Sequence, residues 1–174
     1  MKSEPDLTIL ETPRLRLRHT RPDDIPALVA MWSDLEVTRH MGGPRDEGTL
    51  RKVFAESADD PFAEAHDLWP VEEKSSGEVV GDCGLLLKEI DGQDELELVS
   101  VITRSRWGRG YATEMAEALK RHGLEKLENK RLVSLIDPEN TVSRRVAEKI
   151  GMRLEKEVLR PGGNIRLLFV VEDL

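Results

Sequence analysis

The chain of 174 residues is 39% hydrophobic and 34% charged, enough apolar material for one domain with a real core beneath a heavily charged surface. Its formal charge of −8 excludes general nucleic-acid binding, which needs a broad basic face. The single cysteine, Cys83, excludes an internal disulfide and suits a reducing compartment. Residues 1–6 lack the apolar core of a signal peptide, and no run approaches ~18 apolar residues, so a cytoplasmic protein with no membrane partner is expected.

Arg14-Leu15-Arg16-Leu17-Arg18 alternates with period two and predicts a half-buried first strand. Arg21-Pro22-Asp23-Asp24 opens a helix with Ile25, Leu28, Val29 and Trp32 on one face. A turn at Met41-Gly42-Gly43-Pro44 precedes a second helix over about 47–57, whose stripe is Leu50, Val53 and Phe54. Strands are expected around 67–74 and 79–89, joined by the hairpin-type turn Ser75-Ser76-Gly77-Glu78. Cys83, inside the second of them, reads as a small buried hydrophobe rather than a nucleophile. Asp91-Gly92 marks another turn before a strand from Leu96 to Ile102.

A helical pattern then runs through Met115, Ala118, Leu119 and His122, followed by a buried strand over 131–136. A helix over about 141–150 is closed by Gly151 as its C′ residue, and two strands, 153–159 and 165–171, hinge at Pro161-Gly162-Gly163. No linker, repeat or low-complexity tract divides residues 1–174, which are expected to form a single domain with its core over about 9–172. The order implies an α/β (α+β) fold with helices packed on a mixed sheet.

The segment Trp107-Gly108-Arg109-Gly110-Tyr111-Ala112-Thr113-Glu114 is the most informative. A strand feeds a Gly-x-Gly turn that feeds a helix, which aims backbone N–H groups and the dipole's positive end at one spot. Such a spot favours phosphate. Arg104, Arg106 and Arg109 crowd the same turn. A P-loop is excluded because no Gly-x-x-x-x-Gly-Lys-Ser/Thr string occurs. A dinucleotide fingerprint is excluded because Thr113 stands where its third glycine belongs.

With the later run Asp137-Pro138-Glu139-Asn140-Thr141-Val142-Ser143-Arg144-Arg145-Val146-Ala147-Glu148-Lys149-Ile150-Gly151-Met152, this segment resembles the GNAT superfamily of acetyl-CoA-dependent N-acetyltransferases. The opening Leu10-Glu11-Thr12-Pro13-Arg14-Leu15-Arg16-Leu17-Arg18 and the middle Gly77-Glu78-Val79-Val80-Gly81-Asp82-Cys83-Gly84-Leu85 resemble the branch that includes the ribosomal-protein N-terminal acetyltransferases. The resemblance spans about residues 9–172. It implies a splayed, mainly antiparallel mixed sheet of about seven strands flanked by about four helices.

It also implies site residues. Trp107, Gly108, Arg109, Gly110, Tyr111, Ala112 and Thr113 match the turn that wraps the cofactor pyrophosphate, and Arg104 lies beside it. The superfamily pattern has Arg or Gln where this chain has Trp107, although Trp is usual in the branch. The backbone of Ile102 and Thr103 matches the strand end that pairs with the pantetheine arm and polarises the thioester carbonyl. Asn140 matches the asparagine that bonds the arm from the other side, and it is also a favoured N-cap residue. Arg145, or its neighbour Arg144, is in reach of the adenosine 3′-phosphate on the same likeness.

The family reaction needs a neutral amine, a polarised carbonyl and a proton for the departing thiolate. A protein α-amine has a pKa near ~7.7–8, whereas a lysine at ~10.4 is neutral about once in a few thousand at pH 7. An α-amine therefore manages with a weak base. Glu97 is the candidate base, with Glu95, Glu155 and Glu157 as alternatives. The tyrosine acid of many members is missing, since Tyr111 is the only tyrosine and belongs to the turn. Ser143, one helical turn after Asn140, is the candidate proton donor to the thiolate.

Arg39, His40 and Trp69 are expected to line the acceptor cleft, together with His66. No cluster has metal-ligand spacing, so no metal is expected. The reading is an acetyl-CoA-dependent N-acetyltransferase of primary amines, either a protein N-terminus or a small molecule, acting as a monomer or homodimer. The alternatives are a non-catalytic acyl-CoA-binding regulatory module and a transferase for a longer acyl group.

Overall fold

The computed structural model describes residues 5–173. Eight strands form one open sheet in the order β1-β2-β3-β4-β5-β6-β8-β7, antiparallel throughout except where β5 meets β6. The strands are β1 (Thr8–Glu11), β2 (Leu15–Arg18), β3 (Leu68–Glu73), β4 (Val79–Ile90), β5 (Gln93–Ile102), β6 (Arg131–Ile136), β7 (Arg153–Leu159) and β8 (Ile165–Glu172). Five helices accompany them: α1 (Ile25–Trp32), α2 (Leu35–Thr38), α3 (Glu47–Asp59), α4 (Tyr111–Arg121) and α5 (Thr141–Lys149). The architecture is the expected one with an extra edge strand, β1, and an extra one-turn helix, α2.

Parity along the strands sorts the core into two layers. On one face Leu15, Leu17, Val71, Leu85, Leu98, Leu132 and Phe169 pack against Met115, Ala116 and Leu119 of α4 and Ala147 of α5. On the other, Val101 and Val99 pack against Val29, Met31 and Trp32 of α1 and Leu50 of α3. A third patch, with Ile90, Val133, Val158, Leu168 and Val170, underlies the β7–β8 arm. The long β4–β5 hairpin is in register from Ile90↔Gln93 to Gly81↔Ile102. Its two-residue turn, Asp91-Gly92, takes φ of 50° and 78°, the pair of positive angles that matches hairpin twist.

The helix expected from Pro22 begins instead as a 3-10 turn over Pro22–Asp24. Asp24 there is buried against Arg18, whose guanidinium donates to both of its carboxylate oxygens at 2.7 and 2.9 Å. α4 ends in a π-helical turn over His122–Lys126.

Parallel pairing of β5 with β6 is confined to one residue pair, Glu97↔Val133. Beyond it the two strands diverge toward their C-terminal ends, opening a wedge in the middle of the sheet. α4 starts at one lip of that wedge and α5 at the other.

Candidate active site

β5 ends at Ile102, a 3-10 turn over Arg104–Arg106 follows, and Trp107–Gly110 lead into α4. Gly108 and Gly110 sit at φ of 77° and 79°, a left-handed conformation that L side chains rarely adopt. Gly110 is the N-cap of α4 and has no side chain to cap with. Among the described residues no carbonyl or side chain accepts from the amides of Gly108, Arg109, Gly110, Tyr111, Ala112 or Thr113. Six successive N–H groups at the positive end of a helix dipole are thus unpartnered, the donor set a diphosphate needs.

The turn is braced from a neighbouring strand. Glu73, 4% exposed at the end of β3, accepts from the Tyr111 hydroxyl at 2.6 Å, from Arg106 Nε at 3.1 Å and from Ser76 Oγ at 2.8 Å. The Tyr111 hydroxyl and then the Arg106 guanidinium hold its carboxyl down at about 2. Arg14 stacks over the Tyr111 ring at 4.5 Å and bonds Glu114, which also accepts from Thr12 Oγ1 at 2.7 Å. Glu73 carries no signal in the turn motif, because it lies in a different strand and joins the site only through the fold.

The three arginines of the turn part company. Arg106 is tied to Glu73 and Glu78, and Arg104 reaches Asp34 at 3.4 Å. Arg109 stays 53% exposed on its side chain, 3.9 Å from Glu73. Arg109 is therefore the guanidinium most at liberty beside the open amides. Trp107, half exposed, donates its indole N–H to the Ile102 carbonyl at 2.8 Å.

Thr103 donates to the Val80 carbonyl, so the odd residues of β5 hydrogen-bond to β4 and the even ones turn their backbone toward β6. Ser134 Oγ takes the Leu98 carbonyl at 2.8 Å. Trp107 takes the Ile102 carbonyl, and no ladder pairs Ser100 or Ile102 with β6. The groups left facing the gap are the Ser100 backbone and the Ile102 amide.

Glu97 lies at the vertex of the wedge and is 5% exposed. Its Oε1 accepts from the Leu135 amide of β6 at 3.4 Å. Its Oε2 lies 3.0 Å from Lys88 Nζ, a charge contact rather than an aligned hydrogen bond. Glu95 and Glu155 are instead engaged by Arg131 at the opposite, N-terminal end of the same strand pair.

At the other lip Asn140 caps α5, its Oδ1 accepting from the Ser143 amide at 3.1 Å. The cap uses the amide oxygen and leaves the Asn140 Nδ2 donors for another group. Ser143 stands in the first turn, partly buried, and Arg145 is exposed on the same helix. The acceptor-cleft residues separate. His40 crosses the mouth of the wedge, its Nδ1 3.6 Å from Asp137 Oδ2, and Arg166 lies 3.7 Å from the same oxygen. Arg39 pairs with Glu36 at 2.6 Å on the outside of α2.

Trp69 is not with them. It packs in the α4-face core and stands edge-on to the His19 ring at 5.6 Å, beside His66, away from the α1–α2 side. Strand parity puts the Trp69 side chain on the sheet face opposite Val99 and Val101, a fact a single tryptophan in a sequence does not reveal.

Residues 14–153 match the Acetyltransferase (GNAT) domain family. The chain belongs to the GNAT family and is an N-acetyltransferase. YkkB of Bacillus subtilis (strain 168), an uncharacterized protein, is 34% identical over 152 residues, covering 87% of this chain and 88% of that one. The uncharacterized N-acetyltransferase p20 of Bacillus licheniformis is 28% identical over 149 residues, 84% and 83% of the two chains. Among solved structures, an acetyltransferase from Agrobacterium tumefaciens str. C58 superposes with a TM-score of 0.79 at 29% identity, covering 98% of this chain and 96% of its own. Acetyl-CoA is the cosubstrate the GNAT family implies, and the open amides of Gly108–Thr113 suit its diphosphate. Among the described residues there is no group of three or more His, Cys, Asp or Glu arranged to hold a metal, and no helix is long and apolar enough to cross a membrane.

Proposed function

We propose that this GNAT enzyme transfers acetyl from acetyl-CoA to a primary amine. The leading acceptor is a protein N-terminal α-amine, as the likeness to the ribosomal-protein branch implies. The observation that carries the reading is the run of unpartnered amides from Gly108 to Thr113, set at two left-handed glycines. Bound there, acetyl-CoA supplies an activated thioester. The chain does the rest. The open amides and Arg109 bind the diphosphate. The Ile102 amide and the Ser100 backbone, with Asn140 Nδ2 opposite, line the wedge and orient the arm. Arg145, exposed on α5, is the proposed contact for the 3′-phosphate.

In the transfer the new N–C bond replaces the C–S bond, the amine loses a proton and the sulfur gains one. Ser143, near the start of α5, is the proposed donor to the sulfur. Two groups compete for the amine's proton, Glu97 in the wedge and His40 at its mouth. A screen of peptides with free N-termini and of small amines at fixed acetyl-CoA, followed by thiol release, tests the reading. Turnover with at least one primary amine is expected. Tight acetyl-CoA binding with no turnover for any amine would favour the regulatory module.

A further inference from the structure

We infer that His40, positioned by Asp137, is the group that takes the proton from the acceptor ammonium, while Glu97 is a positioning residue that holds the wedge open. This rests on the acetyltransferase reading above. Glu97 belongs to β5. Its carboxylate bridges the two diverging strands, with the Leu135 amide on one oxygen and the Lys88 ammonium beside the other. It is 5% exposed at the vertex, where β5 and β6 still touch. Both of its oxygens are thus turned to strands that frame the vertex, one to the Leu135 amide of β6 and the other to Lys88 of β4.

His40 has the opposite situation. It follows α2 and reaches across the open end of the wedge to Asp137, the first residue after β6 and three before Asn140. Strand parity puts Val133, Leu135 and then Asp137 on the face of the sheet that Glu97, Val99 and Val101 share, opposite the face on which α4 and α5 pack. An arm entering from the Gly108–Thr113 turn and threading the gap would therefore meet the imidazole on the far side, where an amine can approach the thioester. The side chain is 28% exposed, so solvent and an acceptor both reach it.

With Nδ1 turned to the Asp137 carboxylate, Nε2 is the nitrogen directed away and able to accept. At 3.6 Å the Asp137 carboxylate is a charge contact that orients one edge of the ring rather than a hydrogen bond. The other charges facing this pair are Arg166 on β8, 3.7 Å from Asp137, and the Arg104–Asp34 pair from the opposite lip. Arg39 is neutralised by Glu36. The remaining three histidines, His19, His66 and His122, line a separate pocket beside Trp69, so His40 is the one imidazole of the chain at the mouth.

The step balances. Nε2 of neutral His40 takes one proton from the ammonium and passes it to solvent, the freed nitrogen lone pair forms the N–C bond, the C–S bond breaks to a thiolate, and the second proton, shed by the acylated nitrogen, reaches that thiolate through Ser143 or water. The test is the pH dependence of kcat/KM for the best primary amine of the screen, in wild type, His40→Gln, Asp137→Asn and Glu97→Gln. At pH 7, His40→Gln is expected to lose about 100-fold in kcat/KM, with Asp137→Asn losing less. The His40→Gln loss should shrink at pH 9, where an α-amine of pKa ~7.7–8 is already neutral. Affinity for acetyl-CoA should be unchanged in both.

Glu97→Gln should weaken acetyl-CoA binding and leave the shape of the profile intact. A His40→Gln enzyme with the wild-type profile would overturn the proposal, as would loss of the acid limb in Glu97→Gln alone. A screen with no turnover at all would bring down the acetyltransferase reading itself, a result distinct from either.

Discussion

α4 and α5 pack on the same face of one sheet, yet their first turns are opposites. α5 begins with Asn140, whose side chain satisfies the Ser143 amide, and α3 begins likewise with Asp46 accepting from Thr49. α4 begins with Gly110, which satisfies nothing, after a turn that leaves two more residues bare. Of the helices longer than one turn, α3 and α5 are capped on side-chain oxygens and α1 continues the 3-10 turn of Pro22–Asp24. The uncapped α4 marks where an external anion completes the structure. The contrast also explains why the turn needs Glu73: a backbone with few bonds of its own is held by its side chains.

The contrast breaks most directly at Gly110. Gly110→Asp puts a carboxylate at the bare N-cap in a conformation Asp tolerates better than most residues. The fold should survive, as judged by circular dichroism, while acetyl-CoA affinity by calorimetry falls at least about 100-fold, since two lost charge-assisted bonds at ~1.5–3 kcal/mol each exceed that factor. Binding within threefold of wild type would mean the diphosphate sits elsewhere.

Glu73→Gln is the next step down. It removes the charge bracing Tyr111 and Arg106, and acetyl-CoA should bind about 10-fold more weakly without Glu73 touching it. The carboxyl is held at about 2, below its ordinary 4.5. The stability it contributes is therefore full above about pH 4.5 and disappears as pH falls toward 2. Urea unfolding should separate wild type from Glu73→Gln at pH 7 and bring them together near pH 2. A gap that persists in acid would show that Glu73 acts by shape alone.

The smallest effect belongs to the capped helix. Asn140→Ala should cost about 1 kcal/mol of stability through the lost cap. It should also weaken acetyl-CoA binding if the free Nδ2 is used. A stability loss with unchanged binding would leave Asn140 as a cap and nothing more.

Much of this was legible along the chain. The Gly-x-Gly turn, the Asn140 cap, the Asp91-Gly92 hairpin and the buried Cys83 follow from local chemistry, and local chemistry is what a sequence displays. β1 and α2 were not legible, because four residues show no period. Glu73, Asp137 and Arg166 were missed for another reason: each enters the site through strand order, which places residues dozens of positions apart side by side. Trp69 failed by parity. Its strand was expected at about the right place, but the face it points to depends on the register with β4.

Cys83 has a practical consequence for testing any of this. It is the sole sulfhydryl in the chain, it is fully buried against Ser100, and burial pushes its thiol up to about 12. Disulfide reagents that turn yellow on meeting a free mercaptan should therefore ignore the folded protein. Every colour change in a kinetic trace would count one molecule of liberated coenzyme, with no protein background to subtract.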